Sequence, residues 1–318
     1  MKIVILERGT VGADTDISAL LGFGSTDVYD NSLPEEVAGR VAGADIVIAN
    51  KMPLNEKTLY TAPELKLIAE FATGYDNIDL DYCRAHGIAV CNVSGYSTDC
   101  VAQHTFAMAL SLLEHLPGYD DFVKSGKYSA QGRFTWYGLP FSELSGMTWG
   151  IAGMGNIGRR VAEIAKAFGC RVVYWSSGGS HEVPGYQRLE LDELLSESDV
   201  LSLHCPLNDK TRHLINGNAL SKMKSSAILI NVARGAVVDT AALAKALDAG
   251  VIAGAGIDVM EKEPVEADHP LLRLEHPDRL IITPHVAWAG REARQRVVDE
   301  AYANIKAFLE GGERSRII

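Results

Sequence analysis

The chain has 318 residues, a length typical of about two domains of roughly 100 to 200 residues each. Hydrophobic residues make up 47% and charged residues 22%, the balance of a globular protein and not of a disordered one. The formal charge is -11, and no cluster of Lys and Arg is present, which argues against nucleic acid as a partner.

The five cysteines are odd in number and show no CxxC spacing, which argues against a disulfide framework and a zinc site. We therefore expect no metal and a reducing, cytoplasmic location. The apolar run at the amino terminus is too short for a signal peptide and predicts a buried strand. No segment approaches the roughly 20 apolar residues that would span a bilayer, so we expect no membrane partner.

Short apolar runs alternate with helix-length amphipathic stretches along the whole chain. This pattern is typical of parallel sheets covered by helices on both faces, so the predicted fold class is α/β with doubly wound sheets. In the first hundred residues the predicted strands are 2–6, 27–29, 44–49, 65–69 and 88–93, and the predicted helices are 34–41 and 80–86.

A long apolar stretch at 101–116 predicts one buried helix that leads into a second domain. Ser97 or Thr98 is its expected N-cap, and Pro117 is expected to follow its end. The strands predicted after it are 148–152, 171–175, 200–203, 227–232, 252–257 and 280–283. The helices predicted after it are 157–168, 191–197, 240–249 and 291–309.

A GxGxxG sequence lies between a predicted strand and the helix that follows it. Glycines in this setting are typical of a Rossmann dinucleotide-binding turn, although an ordinary strand-to-helix turn remains the alternative. The backbone N–H groups that open the helix would meet the pyrophosphate. The glycines and these two residues are Gly153, Gly155, Gly158, Asn156 and Ile157.

Ser176 ends the next predicted strand, where such a fold usually carries an acidic residue. An acid would bind the ribose 2′-hydroxyl and repel a 2′-phosphate, whereas serine can hydrogen-bond either group. No Arg or Lys follows until Arg188. The sequence therefore favours NAD and leaves NADP open.

Arg234, Glu263 and His285 lie in predicted loops downstream of that motif. An arginine can bind a carboxylate through two hydrogen bonds, a histidine can donate a proton to a carbonyl oxygen, and a glutamate beside it favours the protonated ring. Each residue alone has a structural alternative: an ion pair between domains, a capped turn or a core histidine. Together they predict the reduction of a 2-keto acid.

From about residue 46 to residue 308 the chain resembles the D-isomer-specific 2-hydroxyacid dehydrogenases. The matching stretches are 72–79, 153–158, 202–207, 231–235, 254–259, 261–264 and 283–285. The resemblance implies that Arg234, Glu263 and His285 are the catalytic residues, with His285 as general acid, and that NAD(P)H reduces the keto acid to the D-2-hydroxy acid.

The same resemblance implies further contacts. The additional cofactor-binding residues are His204, Pro206, Val232, Ala233 and Asp258, with Asp258 near the nicotinamide carboxamide. The substrate-binding residues are Lys51, Thr73, Gly74, Tyr75, Arg234 and Trp288. The sequences around Lys51 and Trp288 resemble those of members that act on small unphosphorylated acids such as hydroxypyruvate, glyoxylate and pyruvate.

The family's architecture implies a Rossmann dinucleotide-binding domain, residues 98–286, inserted into a flavodoxin-like substrate-binding domain, residues 1–97 and 287–318. It also implies a homodimer. Two alternatives remain: a dehydrogenase of the same fold that acts on phosphoglycerate, formate or phosphite, and an NAD(H)-sensing binding protein related to corepressors.

Overall fold

The computed structural model describes residues 1–178 and 182–318. These residues form two compact units: Met1–Ser97 with Trp288–Ile318, and Thr98–Ala287. The strands are β1 (Lys2–Ile5), β2 (Ser25–Val28), β3 (Ile46–Ala49), β4 (Leu67–Glu70), β5 (Ala89–Cys91), β6 (Thr148–Ala152), β7 (Arg171–Trp175), β8 (Gln187–Arg188), β9 (Val200–Leu203), β10 (Ile228–Asn231), β11 (Gly254–Ile257) and β12 (Leu280–Ile282). The α-helices are α1 (Ser18–Leu21), α2 (Pro34–Val41), α3 (Glu56–Leu59), α4 (Leu80–Ala85), α5 (Thr98–Leu113), α6 (Leu116–Lys124), α7 (Lys127–Gln131), α8 (Asn156–Ala167), α9 (Leu191–Glu197), α10 (Gly217–Lys222), α11 (Thr240–Asp248) and α12 (Arg291–Leu309).

The first unit is built on a parallel sheet of order β2-β1-β3-β4-β5. Every residue of β3 and β4 is buried, as expected for central strands with both faces covered. Helix α2 begins with Pro34, whose missing N–H costs nothing in the first turn of a helix. The final helix of the chain, α12, packs against β4 of this sheet. The strand order is that of flavodoxin-like folds.

The second unit is built on seven parallel strands in the order β12-β11-β10-β9-β6-β7-β8. This is the doubly wound Rossmann order, extended by one strand. Helix α5 covers one face, where Phe106 stacks on Trp149 of β6 with ring centroids 4.4 Å apart. The predicted α/β class, with one flavodoxin-like and one Rossmann sheet, is confirmed.

The structure corrects several predicted boundaries. The helix predicted at 101–116 runs from Thr98 to Leu113, because His115 has a left-handed backbone with φ of 52° that ends it. Pro117 comes soon after the end of that helix, as expected, and lies in the first turn of α6. The strands predicted at 27–29 and 65–69 are β2 and β4, whose bounds are shifted by up to two residues.

No helix in the described ranges combines the length and the apolar character needed to cross a membrane.

Candidate active site

The predicted site residues of the second unit all follow strands of the seven-stranded sheet. Because these strands are parallel, their carboxyl ends lie at one edge of the sheet. Gly153 follows β6, Ser176 follows β7, His204 follows β9, Arg234 follows β10, Asp258 follows β11 and His285 follows β12. The chain reverses its direction of winding between β6 and β9, and open α/β sheets bind ligands at such a switch point.

The three glycines of the GxGxxG sequence between β6 and α8 differ in what a side chain at each position would contact. Gly153 has a φ of 104°, and a Cβ there would lie 2.5 Å from the backbone nitrogen of Cys205. A Cβ on Gly158 would lie 2.1 Å from the carbonyl oxygen of Gly153. A Cβ on Gly155 would meet no atom within 4 Å. Gly153 and Gly158 are therefore needed by the fold itself, whereas Gly155 leaves a hollow beside the start of α8 that fits a pyrophosphate.

The backbone N–H groups of Asn156 and Ile157 belong to the first turn of α8, so the helix itself has no acceptor for them. Ser176 is half-buried after β7. The described residues directly after it, Ser177 and Gly178, bring neither a carboxylate nor a cation to this point, and residues 179–181 lie outside the described part of the chain. The first turn of α8 thus fits an anion, and Ser176 supplies a hydroxyl that fits either form of ribose.

At the same edge of the sheet, His204 has a buried ring nitrogen that can accept or donate a hydrogen bond. Its Nε2 lies 3.0 Å from the hydroxyl of Ser202, which also accepts a hydrogen bond from Trp149 Nε1 at 2.9 Å. Burial lowers the pKa of His204 to about 3, so the ring is neutral at neutral pH. Its Nδ1 is buried and has no hydrogen-bond partner among the described residues. A polar group of a bound dinucleotide fits this nitrogen, because buried polar atoms are rarely left unpaired.

Two other predicted cofactor contacts lie in structured loops of the same edge. Pro206 follows His204 closely, and its carbonyl oxygen accepts a hydrogen bond from Thr211 Oγ1 at 2.6 Å. Val232 and Ala233 are half-buried directly after β10.

Arg234 is positioned by the asparagine that ends β10. Asn231 is fully buried; its Oδ1 accepts from Ala233 N at 3.1 Å and its Nδ2 donates to Arg234 O at 3.0 Å. These two bonds fix the turn after the strand. Gly235 permits the turn to pack closely, because a Cβ there would lie 2.0 Å from the carbonyl carbon of Met260. Asn231 was not predicted as a site residue, although a polar residue at the end of an apolar strand is a signal for one.

Glu263 and His285 meet although they are separated by 22 residues. His285 Nδ1 lies 2.7 Å from Glu263 Oε2, and their side chains are 23% and 36% exposed. Because a carboxylate can only accept, Nδ1 carries the proton of this hydrogen bond. The other carboxylate oxygen of Glu263 accepts from Met260 N at 2.9 Å. The glutamate is therefore held in place while it orients the imidazole and leaves Nε2 as the ring nitrogen that can meet a substrate.

Asp258 holds the segment that carries His285. Its carboxylate is 1% exposed; Oδ1 accepts from Thr283 Oγ1 at 2.5 Å and from Val286 N at 2.8 Å, and Oδ2 accepts from Ala287 N at 2.9 Å. His285 N donates to Asp258 O at 2.8 Å. Residue type alone did not reveal this positioning role.

His104 of α5 adds to this network and was also missed from the sequence. Its Nε2 lies 3.0 Å from Thr283 Oγ1 and 3.7 Å from Asp258 Oδ1. Since Thr283 donates its hydroxyl proton to Asp258, its oxygen is available to accept from the ring of His104. The loop after β12 is therefore tied to both β11 and α5.

The first unit contains the remaining predicted substrate contacts. No described residue accepts a hydrogen bond from the backbone N–H groups of residues 73–75. The indole of residue 288 is half-buried and lies edge-on to Tyr96, with ring centroids 6.3 Å apart. The predicted substrate-binding residues of this unit are Lys51, Thr73, Gly74, Tyr75 and Trp288.

Comparison with known proteins identifies the relatives of this chain. Residues 106–287 match the family model described as D-isomer specific 2-hydroxyacid dehydrogenase, NAD binding domain. A hydroxypyruvate reductase of Blautia hydrogenotrophica is 36% identical over 317 residues, which cover 98% of each chain. A glyoxylate reductase of Aeropyrum pernix is 43% identical over 258 residues, 80% of this chain and 76% of the relative.

The chain belongs to the D-isomer-specific 2-hydroxyacid dehydrogenase family. The crystal structure of a D-lactate dehydrogenase from Aquifex aeolicus, complexed with NAD and lactic acid, is 34% identical, has a TM-score of 0.84 and covers 98% of this chain and 96% of its own. The chain is therefore an oxidoreductase that uses a nicotinamide cofactor. In this dehydrogenase the glycine loop, Ser176 and the catalytic residues that were predicted all lie on the segment matched to the family's NAD-binding domain.

Proposed function

We propose that this dehydrogenase reduces a small unphosphorylated 2-keto acid, hydroxypyruvate or glyoxylate in the first place and pyruvate next, to the D-2-hydroxy acid. The observation that carries the proposal is the 2.7 Å contact between His285 Nδ1 and Glu263 Oε2 at the sheet edge that also holds Arg234. The names of the relatives from Blautia hydrogenotrophica and Aeropyrum pernix support the choice of substrates.

In this mechanism Arg234 binds the substrate carboxylate through two charge-assisted hydrogen bonds and polarises the neighbouring carbonyl. His285 donates the proton on Nε2 to the carbonyl oxygen, and the Glu263 carboxylate on Nδ1 stabilises the protonated ring before the transfer. When bound, the nicotinamide cofactor supplies the hydride to the carbonyl carbon. Asp258 contributes by holding the loop that carries His285 in place.

The resemblance to the family assigns substrate contacts to the first unit as well. The backbone N–H groups of residues 73–75, for which no described residue is an acceptor, are donors suited to a carboxylate. The exposed Lys51 adds a positive charge, and this matters because the chain as a whole carries a net charge of -11. Trp288 supplies an apolar wall that limits the size of the substrate.

We favour NADH over NADPH as the cofactor. The space beside Gly155 fits the pyrophosphate of either, and Ser176 can hydrogen-bond a ribose 2′-hydroxyl. A 2′-phosphate would need a cation, and the described residues 176–178 supply none. NADPH turnover as efficient as NADH turnover would contradict this preference.

A steady-state panel tests the proposed reaction. Oxidation of NADH and of NADPH is followed with hydroxypyruvate, glyoxylate, pyruvate and phosphohydroxypyruvate, and reduction of NAD⁺ is followed with formate and phosphite. We expect turnover with the small keto acids, fastest with hydroxypyruvate or glyoxylate. NADH binding without turnover of any keto acid would contradict the proposal and favour a sensor, whereas turnover with formate or phosphite alone would assign another dehydrogenase activity.

We also propose a homodimer that uses the segment after α5. Helices α6 and α7 bury no residue, and Leu116 and Val123 of α6 are exposed. Phe134 is 95% exposed and Tyr137 is 80% exposed. Exposed aromatic groups clustered in one segment are typical of protein interfaces, and a second copy of the chain is the partner that the family resemblance implies.

A further inference from the structure

The first unit buries two carboxyl groups that the proposed reaction does not use. Glu7 follows β1 and Glu70 ends β4, and these strands flank β3 in the sheet. The two residues are 2% and 1% exposed. Because burial penalises a charged group, a buried carboxyl group usually has a structural or functional partner. The hydrogen bonds of these two residues reach residues 50–52, which include Lys51, and Asn77, which follows the loop of residues 73–75.

Glu7 shapes the loop that carries Lys51, here called the lysine loop and defined as residues 50–52. One oxygen of Glu7, Oε2, accepts hydrogen bonds from the backbone N–H groups of Asn50, Lys51 and Met52 at 2.9, 2.8 and 2.9 Å. Three successive N–H groups around one anion form a nest, which is a favourable setting for negative charge. The lysine loop therefore takes its conformation from a carboxylate on another strand.

Glu70 reaches the same loop through Asn77. The Nδ2 of Asn77 donates to Glu70 Oε1 at 2.7 Å and to Met52 O at 3.0 Å. The backbone adds a second tie, because Leu54 N donates to Asn77 O at 2.9 Å. Asn77 lies two residues after the loop formed by residues 73–75. Its amide therefore joins that loop to the lysine loop.

The protonation state of Glu70 sets the charge at this junction. Burial raises the pKa of Glu70 to about 8; the hydrogen bond from Asn77 and the charge of Lys51 oppose the rise, and the Glu7 carboxylate adds to it. Helix α12 packs on β4, and its buried Asn304 is uncharged and donates to Asn92 O at 2.9 Å. Glu70 is therefore mostly neutral at pH 7, and loss of its proton places a second negative charge next to Glu7.

We propose that Glu7, Glu70 and Asn77 are positioning residues for substrate binding, which hold the lysine loop and the loop of residues 73–75 in one arrangement. The inference rests on the proposed function, because it takes Lys51 and the N–H groups of residues 73–75 as the groups that bind the substrate. Ionisation of Glu70 repels the Glu7 carboxylate, shifts the lysine loop that Glu7 holds and thereby weakens binding of the keto acid. It leaves the Glu263–His285 pair of the second unit unchanged.

Kinetics as a function of pH provide the first test. Wild type, Glu7→Gln, Glu70→Gln and the exposed control Glu64→Gln are assayed with glyoxylate and NADH from roughly pH 6 to 9.5. At pH 7 we expect the glyoxylate KM of Glu7→Gln to be about tenfold higher than that of wild type, because a neutral amide binds the three N–H groups more weakly. Its NADH KM should stay within about twofold of the wild-type value. The wild-type glyoxylate KM should rise about tenfold above pH 8, and Glu70→Gln should lose that rise because its side chain cannot ionise. Wild-type values of the glyoxylate KM in both variants at every pH would overturn the proposal.

Hydrogen exchange provides a second test that needs no turnover. In Glu7→Gln the amides of the lysine loop should exchange about tenfold faster than in wild type, since they lose a charged acceptor, while Glu64→Gln should exchange at the wild-type rate. Unchanged exchange of these amides in Glu7→Gln would overturn the positioning role. Failure of wild type to reduce any keto acid would instead contradict the proposed function, so the two failures are distinguishable.

Discussion

Replacing Glu70 by Gln should remove a pH-dependent cost in stability. The pKa of Glu70 is about 8 in the folded chain, compared with its ordinary value of 4.5. The folded chain therefore keeps a proton that the unfolded chain releases between these two values, so the free energy of unfolding falls as the pH rises through this window. A difference of about 3.5 pKa units corresponds to about 5 kcal/mol. Glutamine has no such proton, and it retains an oxygen that can accept from Asn77.

Urea unfolding at a series of pH values measures this effect. Wild type, Glu70→Gln and Glu64→Gln are compared at intervals from roughly pH 5 to 9. Glu70→Gln should lie within about 1 kcal/mol of wild type at pH 5 and be about 4 kcal/mol more stable at pH 8. The free energy of unfolding of the exposed control Glu64→Gln should change with pH in the same way as that of wild type. A difference between Glu70→Gln and wild type that stays constant across the series would refute a buried neutral carboxyl group.

Further variants test the other parts of the structure. Gly155→Ala should change the free energy of unfolding by less than about 1 kcal/mol but weaken NADH binding about tenfold or more. Gly158→Ala should lower the free energy of unfolding by about 2 kcal/mol or more, because its new methyl group would clash with the preceding turn. Equal losses of stability in the two variants would contradict this contrast. Asp258→Asn should lower the free energy of unfolding by about 1–3 kcal/mol and lower kcat with little change in NADH affinity, because the NH₂ group of asparagine would face backbone N–H donors. Weaker NADH binding at unchanged stability would instead favour a contact of Asp258 with the nicotinamide. The double variant Phe134→Ser, Tyr137→Ser should convert a dimer into a monomer in light scattering, and a monomeric wild type would contradict that interface.

Long elements with a clear apolar period could be predicted from the sequence alone. The predicted strand at 148–152 and the predicted helix at 291–309 coincide with β6 and α12. Short elements such as α1 and α3 were missed, because a helix of one turn has too few residues to show a period. The end of α5 was misplaced because Leu116 extends the apolar spacing beyond Leu113, and the left-handed backbone of His115 is not visible in a hydropathy pattern.

The chemistry of the candidate site was easier to predict than the groups that support it. Arg234, Glu263 and His285 stand out because their side chains suit one reaction, and the resemblance to a family implies their roles. The sequence does not distinguish a carboxylate that meets a ligand from one that holds the backbone, as Asp258 does, because that depends on which N–H groups the folded loop brings near. Glu7 and Glu70 look like ordinary acidic residues until the sheet places both at its carboxyl edge.

The measurement that tests the central claim most directly is the turnover of His285→Gln with glyoxylate and NADH, beside wild type and the exposed control His86→Gln. General acid catalysis by a positioned side chain contributes about 10² to 10⁴ in rate, so kcat should fall by that factor in His285→Gln while NADH affinity stays within about threefold. The control should keep the wild-type kcat. Wild-type turnover by His285→Gln would contradict the assignment of His285 as the proton donor and the proposed mechanism with it.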